Sequence, residues 1–164
     1  MTADVDLEKL APNALLIEDD PAHQLWMFNM YKKACPNGQI TTVGTLKAGH
    51  EKYLHDPFDV ILLDLNLPDS QGSQTVERTK GWANGAAIIV LTGLVDDTVC
   101  AHSINYGADG YVEKDNLTER SLRKNIIVAL SRKARKYESR ALKMKKLASD
   151  LGTLALNEKE IYVK

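Results

Sequence analysis

The sequence has few cysteines, no long apolar run and almost no net charge. Its two cysteines, Cys35 and Cys100, form no CxxC motif, which argues against zinc and favours a reducing compartment. No apolar stretch approaches the ~20 residues that a membrane span needs, and residues 1–9 lack the basic-then-apolar order of a signal peptide. The 164 residues, 44% hydrophobic and 26% charged, have an ordinary globular composition. We therefore expect a cytoplasmic globular protein that does not enter the membrane.

The formal net charge of −1 hides an uneven distribution of charge along the chain. From Ser131 onward there are 10 basic and 4 acidic residues, out of totals of 21 and 22. The residues before Ser131 are thus acidic and those after it basic, which predicts two functional parts.

Short apolar runs alternate with stretches of helical spacing over residues 14–130. The runs occupy 14–17, 40–43, 60–63, 87–91 and, more weakly, 110–112. Most are rich in Ile, Val and Leu, which is typical of parallel strands buried on both faces. The pattern predicts an α/β fold with five βα units and a doubly wound parallel sheet. Asn116 and Glu119 have the spacing of a capping box that would begin the fifth helix.

Polar residues follow four of the predicted strands. Because the carboxyl ends of parallel strands meet at one edge of the sheet, these side chains should lie close together. They are Glu18, Asp19 and Asp20 after the first strand, Asp64 after the third, Thr92 after the fourth and Lys114 after the fifth.

Clustered carboxylates repel one another and need a compensating cation, most naturally Mg²⁺, which prefers oxygen ligands. A magnesium ion at this edge would also bind phosphate oxygens, with Lys114 and Thr92 contacting others. Asp64 would then be the carboxylate that attacks phosphorus and forms an aspartyl phosphate. Asp20 is better placed to cap a helix, since Pro21 follows it.

Four stretches of the chain together resemble the CheY-like receiver domain of two-component response regulators. They are LLIEDD at 15–20, VILLDLNLPDSQG at 60–72, IIVLTG at 88–93 and GADGYVEK at 107–114. The resemblance covers roughly residues 12–130. It implies a flavodoxin-like (βα)₅ sheet of strand order 2-1-3-4-5.

The resemblance also implies roles for individual residues. Asp64 would be the phosphoacceptor, and Mg²⁺ would be held by Glu18, Asp19, Asp64 and the backbone carbonyl of Asn66. The phosphoryl group would come from a histidine kinase or a phosphotransfer protein. Beyond its own phosphorylation and dephosphorylation, such a domain is not an enzyme.

Three further residues would respond to the phosphoryl group, according to the same resemblance. Thr92 and Lys114 would contact it, and Tyr111 stands where the family has a switch aromatic that turns inward with the threonine.

The last part of the chain has a heptad pattern, which predicts that the fifth helix continues as a coiled coil over residues 131–154. Its seam comprises Ile127, Leu130, Ala134, Tyr137, Ala141, Met144, Ala148 and Leu151. Homodimerisation through this helix is the favoured interpretation, with residues 155–164 as a tail.

Residues 132–146 contain eight basic side chains and one acid, Glu138. This permits an alternative function, in which the chain is a receiver-like interaction module whose basic helix binds nucleic acid or an acidic partner. Against nucleic acid, no helix-turn-helix follows residue 130. The sequence leaves open whether the chain stands alone or belongs to a longer protein.

Overall fold

A computed structural model describes residues 11–93 and 97–161, which divide between Leu130 and Ser131 into two compact units. In the described part of the chain, the strands are β1 (Asn13–Ile17), β2 (Gln39–Val43), β3 (Val60–Asp64), β4 (Asn66–Leu67), β5 (Ser70–Gln71), β6 (Ala87–Thr92) and β7 (Gly110–Glu113). The helices are α1 (Pro21–Ala34), α2 (Leu46–His55), α3 (Gln74–Trp82), α4 (Asp97–Asn105) and α5 (Glu119–Ile161).

Five strands of the first unit form one parallel sheet in the order β2-β1-β3-β6-β7. This is the predicted doubly wound order, with β6 and β7 as the fourth and fifth long strands. The remaining two strands, β4 and β5, form a small antiparallel hairpin directly after β3. The predicted fold class is confirmed.

The central strands are apolar because helices cover both of their faces. On one face, Leu16 and Leu62 pack with residues of α1 and α5, including Tyr31 and Ile126. On the other face, the alternate strand residues pack with α2 and α3, and Val76 is fully buried there. Burial on both faces fixes the register of the strands, and therefore the positions of the residues at their carboxyl ends.

Side-chain oxygens cap the first and fifth helices. The Asp20 carboxylate accepts hydrogen bonds from the backbone N–H groups of Ala22 (2.7 Å) and His23 (3.2 Å), as its position before proline predicts. At α5 the predicted box at Asn116 and Glu119 is wrong. Thr118 and Ser121 form it instead: each side-chain oxygen accepts from the other's backbone N–H, at 3.1 and 3.0 Å.

Helix α2 is capped by a residue that lies far away in the sequence. Asp69, in the turn between β4 and β5, accepts hydrogen bonds from the backbone N–H groups of Leu46 and Lys47, both at 2.9 Å. Partial burial would raise the pKa of this carboxyl, but hydrogen bonds from backbone N–H groups, those of Lys47 and Leu46 foremost, together with the charge of Arg78 hold the pKa below its usual value. The hairpin after β3 is therefore tied to the start of α2.

The second unit consists of the continuation of α5, whose described side chains are exposed from Ala134 to Gly152. The helix continues to Ile161, past the predicted end of the extension at residue 154. Gly152 costs only about 1 kcal/mol in a helix interior, too little to end a helix of this length. Residues 162–164 of the predicted tail lie outside the described residues. None of the described helices has the length and apolarity needed to cross a membrane.

Candidate functional site

Three acidic residues meet at the carboxyl edge of the sheet. Glu18 and Asp19 follow β1, Asp64 ends β3, and these two strands pair in parallel with Ile17 opposite Leu63. Each of the three acids offers a carboxylate oxygen that lies within 4.8 Å of those of the other two. The cluster predicted from the strand ends therefore exists as a compact group of oxygen atoms.

The acids differ in exposure, and a lysine lies among them. Glu18 and Asp64 are buried, whereas Asp19 is exposed. Lys114, which follows β7, donates hydrogen bonds from Nζ to Glu18 Oε2 at 2.6 Å and to Asp64 Oδ1 at 3.1 Å. One ammonium thus compensates both buried carboxylates at once.

This contact also determines the charge state of the lysine. Burial alone would lower the pKa of Lys114, but the hydrogen bond to Glu18 and the charges of Asp64 and Glu18 outweigh it, so its pKa lies above the usual value. Lys114 is therefore fully cationic at neutral pH.

Backbone contacts bring Thr92 and Asn66 to the same edge. The N–H of Lys114 donates to the carbonyl of Thr92 at 2.7 Å, and Thr92 follows Leu91, the residue that pairs with Asp64 across β3 and β6. The N–H of Asn66 donates to Asp64 Oδ2 at 3.1 Å, so the segment after Asp64 turns back toward its carboxylate.

The predicted switch aromatic, Tyr111, lies on β7, where it pairs with Val90 of β6. Its side chain is 44% exposed, so the ring faces outward in this structure.

Two contacts between Glu18 and helix α1 were not predicted from the sequence. Gln24 donates from Nε2 to the Glu18 carbonyl at 2.5 Å, and His23 Nδ1 lies 3.8 Å from Glu18 Oε1. The cap at Asp20 was the available signal, because it begins α1 beside the acids and directs the first helical turn toward them.

The predicted seam divides into two parts. Ile127 and Leu130 belong to the first unit and are half-buried, and Leu130 packs against the core. The other six residues lie in the second unit and are exposed: Ala134, Tyr137, Ala141, Met144, Ala148 and Leu151. The fully exposed part of the predicted seam therefore begins at Ala134, and the pairing of the seam stays a prediction.

The donor set at this edge fits a hard divalent cation. Carboxylate oxygens held within 4.8 Å of one another match the ligands that Mg²⁺ prefers, and exposed Asp19 leaves room for water ligands. Positive charge beside them from Lys114 suits a phosphoryl group.

Comparisons of the sequence give one family. The family model described as the response regulator receiver domain matches residues 14–127. A curated relative, the transcriptional regulatory protein KdpE of Mycobacterium tuberculosis, is 39% identical over 74 residues, which are 45% of this chain and 30% of that protein. The chain spans less than half the length of the curated relatives it matches.

Solved structures give the same fold. A CheY-like receiver domain protein from Methanospirillum hungatei has a TM-score of 0.66 at 24% identity, covering 77% of this chain and 99% of its own. The receiver domain of a sensor histidine kinase from Pseudomonas aeruginosa, described with a magnesium ion coordinated in its active site cleft, has a TM-score of 0.62 at 22% identity, covering 74% and 99%.

Proposed function

The chain belongs to the response regulator receiver family, and from this we propose that it accepts a phosphoryl group on Asp64 from a histidine kinase or a phosphotransfer protein. The P–N bond of a phosphohistidine breaks as phosphorus bonds to an Asp64 oxygen, and the imidazole leaves with the electron pair and takes up a proton. Hydrolysis later returns the carboxylate and inorganic phosphate. One observation carries this proposal. Asp64 accepts a hydrogen bond from Lys114, and its carboxylate lies within 4.8 Å of the carboxylates of two further acids.

We assign the cofactor as Mg²⁺, held by Asp19, Asp64, Glu18 and the backbone carbonyl of Asn66. When bound, the ion neutralises the negative charge that gathers between the carboxylates and the incoming phosphoryl oxygens. Lys114 shares the charge of Glu18 at 2.6 Å and that of Asp64 at 3.1 Å, which leaves exposed Asp19 as the acid with the most charge to offer the ion.

Lys114 orients Asp64 before the reaction and binds the product after it. Its ammonium holds one Asp64 oxygen at 3.1 Å, and Asn66 N–H holds the other at 3.1 Å. Once phosphorus bonds to Asp64, the ammonium binds a phosphoryl oxygen, and the Thr92 hydroxyl donates to another.

Phosphorylation then shifts an equilibrium between two conformations. Thr92 moves toward the phosphoryl group, and Tyr111, 44% exposed here, turns into the space that the threonine leaves. The two residues lie on adjacent strands, β6 and β7, which supports a coupled movement.

The start of α1 offers the phosphodonor a surface of approach, since this helix begins at Pro21, just after the acids. Leu25 and Phe28 are exposed there, 64% and 38%, beside a cleft of about 340 Å³ that Pro21 and Thr42 also line. An apolar patch next to the acids suits a protein surface carrying the phosphohistidine. The free, buried thiol of Cys35 accords with a cytoplasmic location.

The output would pass through the extension of α5, as a homodimer formed by its seam. The second candidate is an interaction module whose basic helix binds nucleic acid or an acidic partner. It is favoured by the exposure of seven of the eight basic side chains between Arg132 and Lys146. Loss of binding with rising salt would identify that mode.

The test of the phosphoacceptor is intact-mass spectrometry after incubation with a small phosphodonor, with and without Mg²⁺. We expect one phosphoryl adduct that requires Mg²⁺ and is labile to base. Asp64→Asn should give none, whereas Asp56→Asn, an exposed acid at the end of α2, should react like the parent. An adduct that persists in Asp64→Asn would refute the assignment.

A further inference from the structure

The exposed seam of the second unit alternates small and large side chains. Tyr137, Met144 and Leu151 are 46%, 65% and 57% exposed, so the seam presents a substantial apolar surface to the outside. The other seam positions of the second unit are all alanine: Ala134, Ala141 and Ala148. One heptad series is therefore small throughout and the other is large.

The alternation distinguishes between the two ways in which identical helices can pair. In a parallel pair, equivalent positions meet, so alanine would face alanine while Tyr137, Met144 and Leu151 would each face their own copies. Layers of two alanines would leave space between the helices and layers of two large side chains would crowd, so the parallel pair packs poorly. In an antiparallel pair, each position of one series meets a position of the other series, so that every layer combines a small side chain with a large one.

We propose that two copies of this chain pair antiparallel through residues 134–151 of α5, with the two-fold axis between Ala141 and Met144. Ala134 then packs against the partner's Leu151, Ala141 against the partner's Met144, and Ala148 against the partner's Tyr137. This orientation rests on the proposed dimerisation and specifies its geometry.

The charges beside the seam favour the same orientation. In the antiparallel register, Glu138 lies opposite the partner's Lys145. Because the dimer is two-fold symmetric, it contains this attractive contact twice. In a parallel pair, Glu138 would meet the partner's Lys133, but Arg140 would face the partner's Lys145, so two repulsions would accompany two attractions. Among these flanking residues, like charges face each other in the parallel pair but not in the antiparallel pair.

The remaining flanking residues are compatible with this arrangement. Leu147, 52% exposed, lies opposite the partner's Arg140, whose aliphatic stem can cover it. The Lys133 ammonium lies 5.7 Å from the centroid of the Tyr137 ring, on the flank of the seam.

Disulfide cross-linking of the full chain tests the orientation, with Cys35→Ala and Cys100→Ala as the background. Ala134→Cys and Leu151→Cys are made separately and oxidised alone and as a re-equilibrated mixture. We expect each alone to stay near the monomer mass of 18.2 kDa and the mixture to give a covalent dimer. Covalent dimers from each variant alone would show a parallel pair, and no cross-linking in any sample would refute the interface.

A charge reversal provides a second test without cysteines, by sedimentation equilibrium. Lys145→Glu places Glu138 against a glutamate in the antiparallel pair, so we expect dimerisation to weaken roughly tenfold. In a parallel pair the same change would relieve the repulsion by Arg140 and strengthen dimerisation. The exchange Glu138→Lys with Lys145→Glu should return the affinity to that of the parent, after a loss in the single variant if the pair is antiparallel and after a gain if it is parallel. The direction of the single change therefore decides the orientation.

The outcomes separate this inference from the proposed function. A parent chain that sediments as a monomer, with and without phosphorylation, refutes the dimer itself. A dimer that cross-links in the parallel pattern refutes only the orientation. The phosphoryl adduct on Asp64 is measured independently and should form equally in all of these variants, since they change no residue of the site.

Discussion

Lys114 lies closer to Glu18 than to Asp64. Its Nζ is 2.6 Å from Glu18 Oε2 and 3.1 Å from Asp64 Oδ1, although Glu18 is 96 positions away in the chain. The lysine therefore links the first strand of the sheet to the last, through the least exposed acid of the site. This contact makes the stability of the first unit sensitive to the charge at position 114.

Replacement of Lys114 by methionine keeps most of the side-chain volume but removes the charge. In metal-free buffer we expect the free energy of unfolding to fall by about 1–3 kcal/mol, because two buried carboxylates lose their common cation. Mg²⁺ should bind this variant more tightly than it binds the parent, since no ammonium competes for the same oxygens. Urea titrations at several Mg²⁺ concentrations measure both effects, and Lys114→Arg is the charge-preserving control.

Asp19→Asn should have the opposite effect on the metal-free protein. Asp19 is the exposed acid of the cluster, so its removal relieves repulsion without burying a new polar group, and we expect a gain of about 0.5 kcal/mol. The same substitution should abolish most of the stabilisation that Mg²⁺ gives to the parent chain. Thermal unfolding with and without Mg²⁺ checks both; a variant that still responds fully to Mg²⁺ would exclude Asp19 as a ligand.

Asp69→Ala should destabilise the first unit in a pH-dependent manner. The pKa of Asp69 is lower in the folded chain than its ordinary value of 3.8, so its contribution is fully present above that value and is lost as the pH falls through the folded pKa. We expect the free energy of unfolding of the variant to be about 1 kcal/mol lower than that of the parent at pH 7. This difference should shrink below about pH 4.

Thr45→Ala is the matched control, because Thr45 Oγ1 caps the same helix by accepting from Ala48 N–H at 3.1 Å and does not titrate. The free energy of unfolding that Thr45→Ala loses relative to the parent should stay constant over the same pH range, as measured by urea unfolding. An Asp69→Ala difference that also stays constant would contradict the proposed role of the carboxylate.

Substitution by alanine should change the free energy of unfolding in opposite directions at two helical glycines. At Gly49 in α2, an added Cβ would lie 2.5 Å from Cδ1 of fully buried Ile17, so we expect a loss of about 1–2 kcal/mol despite the better helix propensity. At Gly81 in α3, an added Cβ meets nothing within 4 Å, and alanine should stabilise by about 0.5–1 kcal/mol. Chemical denaturation of the two variants gives the comparison directly.

Particular residues show why the sheet could be predicted from the sequence and parts of the site could not. The run at residues 60–63 is entirely apolar because helices cover both faces of the strand, and this signal is local in the chain. The acids at the strand ends follow from the same reasoning. By contrast, strands β4 and β5 have two residues each, too few for any periodicity to indicate them.

The contacts that the sequence did not predict are those between distant segments. Nothing near Lys114 indicates that Glu18 will be its nearer partner, and nothing near Leu46 indicates that its N–H will bind Asp69. Such pairings follow from the packing of helices on the sheet, which sequence periodicity does not determine. The roles of Thr92, Tyr111 and the Asn66 carbonyl stay predictions, because they concern a phosphorylated or metal-bound state.

The cap of α2 by Asp69 has a spectroscopic consequence. Asp69 lies five positions after Asp64, in the hairpin that follows the proposed phosphoacceptor, and its two oxygens accept hydrogen bonds from the amide N–H groups of Leu46 and Lys47. Any displacement of the hairpin changes the lengths of those two hydrogen bonds and hence the chemical shifts of the two amides. Leu46 and Lys47 thus provide a pair of NMR probes of the segment after Asp64, although neither residue belongs to the acidic site.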